Sequence, residues 1–268
     1  MSVSAPLLDA KVRYGRDGWL PLPHTLSDPD VRKLRHRVEG ISREQRPEVV
    51  LEEGTSAVRA LHGCHDFDEV CARLVRLPAL VGLAEQLLGG PVYVYQFKVN
   101  MKQAHEGAAW PWHQDFAFWR HEDGMGSPDA VNIAIFLDDV TDENGPLEVI
   151  PGSQHAGIVE DPARRGGERS HDWRHHVSTK LEYVVPDDVA GRLAGTFGVR
   201  RLTGPAGTAV AFHPCIIHSS SNNLSAQRRC LLLITYNRVT NTPEHPVRPS
   251  FLVSRDSTPV VPVEADRL

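Results

Sequence analysis

The stretch Pro91–Lys102 constrains the fold most. Its residues alternate, with Tyr93, Tyr95, Phe97, Val99 and Met101 on one side and Gln96, Lys98, Asn100 and Lys102 on the other. Side chains of a strand point to opposite faces with a period of two, so the spacing predicts a strand with one apolar and one strongly polar face. Such a polar face looks either to water or into a barrel lumen that holds a charged ligand. Further strands are predicted at Ala130–Leu137, Leu147–Ile150, Thr208–Phe212 and Cys230–Tyr236. Turn sequences around Asn144-Gly145-Pro146, Pro151-Gly152-Ser153 and Gly204–Gly207 separate them. Many short strands punctuated in this way predict a closed or two-sheet β fold.

The first ninety residues read as mostly helical. Ser27-Asp28-Pro29-Asp30 is a helix-start signal, followed at helical spacing by Val31, Leu34 and Val38. Phe67–Leu88 reads as two short amphipathic helices broken at Pro78 and closed by Gly89-Gly90. Residues 156–200 are charged, rich in Arg and His, and weakly helical near Asp187–Leu193; they read as an insertion that acts as a lid or as a solvated excursion. The expected organisation is one domain over 1–268: a mostly helical part over 1–90 and a β core over 91–240 that carries the 156–200 insertion.

Composition removes several function classes. Twenty-nine basic against thirty-four acidic residues leave a net charge of −5, which argues against nucleic-acid or polybasic membrane binding. No apolar run is long enough to span a bilayer, and the N-terminus lacks a secretory pattern. Cys64, Cys71, Cys215 and Cys230 form no CxxC pair and read as reduced thiols of a cytoplasmic protein.

The chemistry concentrates in Trp110–Met125. On a strand, His113 and Asp115 at i and i+2 project to the same side. One more imidazole from a distant strand completes a two-His, one-carboxylate facial triad, the pattern of non-haem Fe(II) oxygenases. Alone, an H-x-D pair is weak and most often a surface pair. A second segment strengthens it: after Gly207–Phe212 come His218 and, eleven positions on, Arg229, whose planar fork suits a carboxylate. His213 rivals His218 but directly precedes Pro214. Arg228 rivals Arg229, and opposite faces of one strand let only one of the two reach the site.

These motifs resemble the phytanoyl-CoA dioxygenase superfamily of Fe(II)/2-oxoglutarate-dependent oxygenases. The resemblance covers roughly 90–240 and lies closest to the ectoine hydroxylase branch. It is carried by Gln96–Asn100, Trp112–Phe116 with Trp119 and Glu122–Met125, Asn144–Leu147 with Ile150–Ser153, Phe212–Pro214 with Ile217–Ser219, and Arg229. Free L-leucine hydroxylases of peptide-antibiotic pathways are more similar still, notably at Thr235-Tyr236-Asn237.

The resemblance implies a double-stranded β-helix, or jelly-roll core, mainly β with flanking helices packed outside. It makes His113, Asp115 and His218 the catalytic iron ligands. Arg229 would pair with the distal carboxylate of 2-oxoglutarate, Asn100 and Asn132 would line that cosubstrate, and Trp110 would pack beside it. Gln96, Lys98 and Trp119 would face the substrate, with Lys98 holding its carboxylate. Lys98 stands where ectoine hydroxylases usually carry arginine, and Leu231 replaces a polar contact; both departures point away from ectoine. Related halogenases replace the carboxylate ligand with a small residue, so Asp115 favours hydroxylation. The expected reaction consumes Fe(II)-bound 2-oxoglutarate and O2 to hydroxylate a free, aliphatic L-amino acid in natural-product biosynthesis by a monomer or weak homodimer. The alternatives are a carrier- or CoA-tethered substrate, desaturation or cyclisation, a zinc hydrolase, and a non-catalytic β-barrel binding module.

Overall fold

The structure, a computed structural model, describes residues 5–22, 25–159, 173–177 and 181–268. In chain order the elements are α1 (Ala5–Asp17), β1 (Trp19–Leu22), α2 (Asp28–Ile41), β2 (Val49–Leu51), β3 (Val58–His62), α3 (Glu69–Leu74), α4 (Pro78–Leu88), β4 (Val92–Lys102), β5 (Trp110–His113) and α5 (Asp115–Glu122). They continue with β6 (Ala130–Phe136), β7 (Leu147–Val149), α6 (Asp187–Phe197), β8 (Arg200–Leu202), β9 (Ala209–Phe212), β10 (His218–Ser220) and β11 (Arg229–Arg238).

Two antiparallel sheets result. The larger has seven strands in the order β1-β9-β6-β11-β4-β3-β2, and the smaller has four, β5-β10-β7-β8. Strand alternation divides the core between their faces. On β6, β9 and β11, residues Ile133, Ile135, Ala211, Leu232 and Ile234 turn outward against Leu34, Val38, Leu80 and Val81 of the helices. Their neighbours Ala134, Phe136, Val210, Leu231 and Leu233 turn inward against Leu147, Val149 and Leu202 of the smaller sheet. The result is a jelly-roll core with helices on the outside of one sheet. No described helix is long and apolar enough to cross a membrane.

The helix signals place elements where the sequence does. Ser27 caps α2, its hydroxyl accepting from the Asp30 amide, and Pro29 occupies the first turn. Pro78 starts α4, and Gly89 ends it at φ +77. The mostly helical reading of 1–90 misses β1, β2 and β3, which extend the larger sheet at both edges. These strands are three to five residues long, too short for a period of two to stand out, and β1 contains Pro21, tolerated because an edge strand has a free side.

β4 brings one correction and settles one open alternative. Its pairing with β11 slips between Thr235 and Tyr236: Thr235 faces Gln96, Tyr236 faces Val94, and Tyr95 is the extra residue. This β-bulge inverts the alternation. Tyr93 and Tyr95 therefore leave the helix-side core and join Phe118, Trp119 and Met125, while Phe97, Val99 and Met101 stay against the helices. The polar face of Gln96, Lys98 and Asn100 lines an internal cavity rather than solvent. Of the 156–200 insertion, residues 160–172 and 178–180 lie outside the described residues. Its C-terminal end forms the mostly exposed helix α6, where the sequence is weakly helical, and runs into strand β8, paired to β7.

Candidate metal centre and its pocket

β10 brings the two imidazoles together. His218, its first residue, pairs in register with His113, the last residue of β5, and the ring centroids are 4.1 Å apart. Asp115 is not on the strand that the H-x-D spacing suggests; it is the first residue of α5, after Gln114 in extended conformation (φ −126). Projection to one side is achieved by this strand-to-helix turn, not by the pleat. Gln114 fastens the turn: its Nε2 donates to Cys215 O at 2.6 Å and Gly157 O at 2.8 Å, and its Oε1 accepts from the Val159 amide. The Phe116 amide donates to Pro214 O at 3.0 Å. The loop carrying His113 and Asp115 is thereby tied to the segment leading into His218.

One ligand atom from each of His113, Asp115 and His218 lies within 4.8 Å of the others, and all three residues are buried. His113 Nδ1 lies 2.7 Å from Pro111 O and His218 Nδ1 lies 3.0 Å from Ile216 O. A carbonyl only accepts, so each Nδ1 carries the proton and each Nε2 keeps its lone pair. Burial, then the neighbouring His218, pushes His113 down to about 3; burial lowers His218 as well. Burial alone would raise Asp115, but Lys98 and the two imidazoles outweigh it and hold the carboxyl at about 2. Neutral imidazoles and an ionised carboxylate are the states in which these groups bind a metal. The donor set therefore fits a divalent first-row ion with one face of its coordination sphere left open.

Asp115 is further oriented by two donors. Asn132 Nδ2 reaches Oδ2 at 2.8 Å, with Asn132 Oδ1 accepting from Thr235 Oγ1 at 2.6 Å, and Lys98 Nζ lies 3.5 Å from Oδ1. Asn132 is fully buried behind the ligand and is not part of the cavity wall. Inward alternation on β6 brings it to the carboxylate, to which one of its two amide N–H groups donates.

The other predicted residues converge on one cavity. Gln96, Lys98, Asn100, Trp110, Trp119 and Arg229 all line it together with the three candidate ligands. Arg229 is 2 % exposed. Its Nε and Nη2 both donate to Gly145 O, at 2.9 and 2.6 Å, and its Nη1 has no protein partner among the described residues. Burial brings Arg229 down to about 10, so it stays cationic at neutral pH. Lys102, its cross-strand neighbour, is pushed down to about 6 by burial and then by Arg229 and Arg59. This end of the cavity is short of negative charge.

The rivals point elsewhere. His213 Nδ1 accepts from the Cys215 amide, and its ring faces Tyr14. Arg228 turns outward to Asp138 and Glu39. Asp123, in the Glu122–Met125 motif, is fully buried and grips the Arg248 guanidinium, with Tyr95 Oη donating to it at 2.5 Å.

Several site residues escape the sequence reading. Arg248 and His62 line the cavity, and Arg59 stacks 3.9 Å over Trp110 while pairing with Glu52. His62 ends a strand too short to show its alternation, and Arg248 sits in a C-terminal loop without periodicity. The one available signal was Gln114, inside the motif itself.

Comparison with known proteins gives the following. Residues 14–230 match the family model Phytanoyl-CoA dioxygenase (PhyH). An L-proline trans-4-hydroxylase of Streptomyces griseoviridis is 94% identical over all 268 residues of both chains. An ectoine dioxygenase of Bordetella parapertussis (strain 12822 / ATCC BAA-587 / NCTC 13253) is 36% identical over 91% of this chain and 81% of its own. Among solved structures, EctD from S. alaskensis with 2-oxoglutarate and 5-hydroxyectoine superimposes with a TM-score of 0.81 at 28% identity, covering 98% of this chain and 88% of that one. The same enzyme with bound Fe gives 0.80 at 28% identity, with the same coverage.

Proposed function

The chain belongs to the phytanoyl-CoA dioxygenase family and is an Fe(II)/2-oxoglutarate-dependent dioxygenase; from that premise we propose that it hydroxylates free L-proline at the trans-4 position. The observation that carries the substrate is the near-identity, end to end, with the S. griseoviridis enzyme. The wall agrees with it: the chain has Lys98 and Leu231 at the two positions that point away from ectoine.

In this reading His113 and His218 would hold the iron through Nε2, left free by the hydrogen bonds described above, and Asp115 through a carboxylate oxygen. The metal with 2-oxoglutarate and O2 supplies an oxidant strong enough to take hydrogen from an unactivated C–H bond and return hydroxyl. Arg229 fixes the far carboxylate of 2-oxoglutarate through its unpartnered edge, with Gly145 O bracing the opposite edge of the guanidinium. Asn100 and Trp110 flank the cosubstrate. Gln96, Lys98 and Trp119 take the amino acid, Lys98 pairing with its carboxylate once the metal neutralises Asp115. Leu147, Leu231 and Leu233 in the wall keep water from the reacting carbon. Every proposed ligand comes from one polypeptide, so a monomer or weak homodimer suffices. The four cysteines are free thiols, which suits a reducing cytoplasm.

The test is succinate release by the iron-loaded enzyme with 2-oxoglutarate, O2 and either L-proline, L-leucine or ectoine, with the product assigned by NMR. L-proline should accelerate release most and give the trans-4 alcohol. Faster turnover of ectoine or L-leucine would overturn the substrate assignment.

A further inference from the structure

His62 is 1 % exposed, and neither ring nitrogen has a hydrogen-bond partner among the described residues. It lines the same cavity as the candidate metal ligands. Buried polar groups almost always have partners, and an exception calls for a reason; the ring borders the cavity with both nitrogens covered, so a small shift of the side chain uncovers one of them to a ligand that enters. Its position is defined by the sheet: His62 on β3 lies directly opposite Lys98 on β4. Such cross-strand neighbours project to one face with Cβ atoms about 5 Å apart. Burial, then Lys98 and Arg248, pushes His62 down to about 3, so at neutral pH the ring is uncharged and offers one N–H beside two cations.

We propose that His62 and Lys98 together form the seat for the carboxylate of the amino-acid substrate, with the His62 ring N–H donating to one oxygen and Lys98 pairing with the other. The assignment rests on the reading that the substrate is a free amino acid. Arg248 is already paired with Asp123, and Lys98 lies 3.5 Å from Asp115; once a metal takes up Asp115, the Lys98 ammonium is left to a substrate carboxylate rather than to the ammonium end. The seat is separate from that of 2-oxoglutarate. Lys98 pairs with Leu233, and Lys102 with Arg229; these rows are four residues apart along β11, roughly 13 Å at strand rise.

The experiment compares wild type, His62→Phe and His62→Gln by anaerobic calorimetric titration of the iron- and 2-oxoglutarate-loaded enzyme, then by steady-state turnover, with L-proline and L-prolinamide. Phe removes the donor; Gln keeps an N–H and guards against a variant that fails to fold. For His62→Phe, L-proline should bind about ten- to hundred-fold more weakly, the range for losing one hydrogen bond to a charged group. The loss should appear in KM rather than kcat. L-prolinamide and 2-oxoglutarate should be affected less than about three-fold, and His62→Gln should recover most of the proline affinity. The proposal is overturned if His62→Phe binds L-proline like wild type, if proline and prolinamide weaken equally, or if the loss falls on 2-oxoglutarate. If wild type turns over a different amino acid, the proline assignment fails on its own, and the same titration with that amino acid and its amide decides the role of His62.

Discussion

At the residue scale, the centre depends on how few options each ligand has. Both imidazoles are locked by a carbonyl two residues upstream, and Asp115 is held from behind by Asn132, which Thr235 holds in turn. Such outer partners typically account for ten- to hundred-fold in metal affinity. Asn132→Ala should therefore weaken Fe(II) binding by about that factor while leaving the fold intact, as read by competition with a chelator. Unchanged iron affinity would mean that Lys98 alone positions the carboxylate. Much of this scale was legible. His113, Asp115, His218 and Arg229 stand out because their chemistry is concentrated in short motifs. Asn132 was recognisable as a site residue, but its bond to Asp115 was not, because that contact depends on two elements meeting in space.

At the element scale, β11 and the turn before β7 aim the arginine. Gly145 has φ +80, and a Cβ there would meet Ser221 O at 2.7 Å and Lys102 Cδ at 2.8 Å. Its carbonyl takes both Arg229 donors. Gly145→Ala is strained in backbone and in space, so the turn must shift, and the guanidinium with it. The expected result is a rise in the KM for 2-oxoglutarate of about ten-fold or more, with a smaller change for the amino acid, measured by succinate release. An unaltered KM would show that Arg229 is positioned by β11 alone. The sequence announced this turn through Asn144-Gly145-Pro146, as it announced α2 and α4 through their caps. It misled at β4, where the bulge at Tyr95 breaks the alternation halfway along an otherwise regular strand. It misled again at Asp115, where a strand was expected and a helix begins. Bulges and strand-to-helix turns are set by the partners across the sheet, here β11 and the Gln114 bonds to residues 157–215, which local periodicity does not contain.

At the scale of the whole molecule, folding has to desolvate several imidazoles. His62 and His113 on the cavity wall and the half-buried His213 away from it are held at about 3, 3 and 4, with desolvation the leading cause in each case. An unfolded histidine titrates near 6.5, so between that value and the folded one the unfolded chain binds more protons. The stability of the metal-free protein is then complete above about pH 6.5 and lost as pH falls toward 4, each group contributing a slope of up to roughly 1.4 kcal/mol per pH unit. Urea unfolding at pH 7, 6 and 5 should show a falling midpoint, shallower in His213→Asn; a midpoint independent of pH would contradict the buried, neutral state of these rings.

The central claim, that His113, Asp115 and His218 hold one iron with room for 2-oxoglutarate gripped by Arg229, is tested most directly by anaerobic titration of Fe(II) into the apoprotein with 2-oxoglutarate present, following the visible absorption of the iron–2-oxoglutarate chelate. The absorption should require both components and saturate at one iron per chain. It should be lost in His218→Ala and need more 2-oxoglutarate in Arg229→Leu. Absence of the band in wild type, or its persistence unchanged in His218→Ala, would contradict the account.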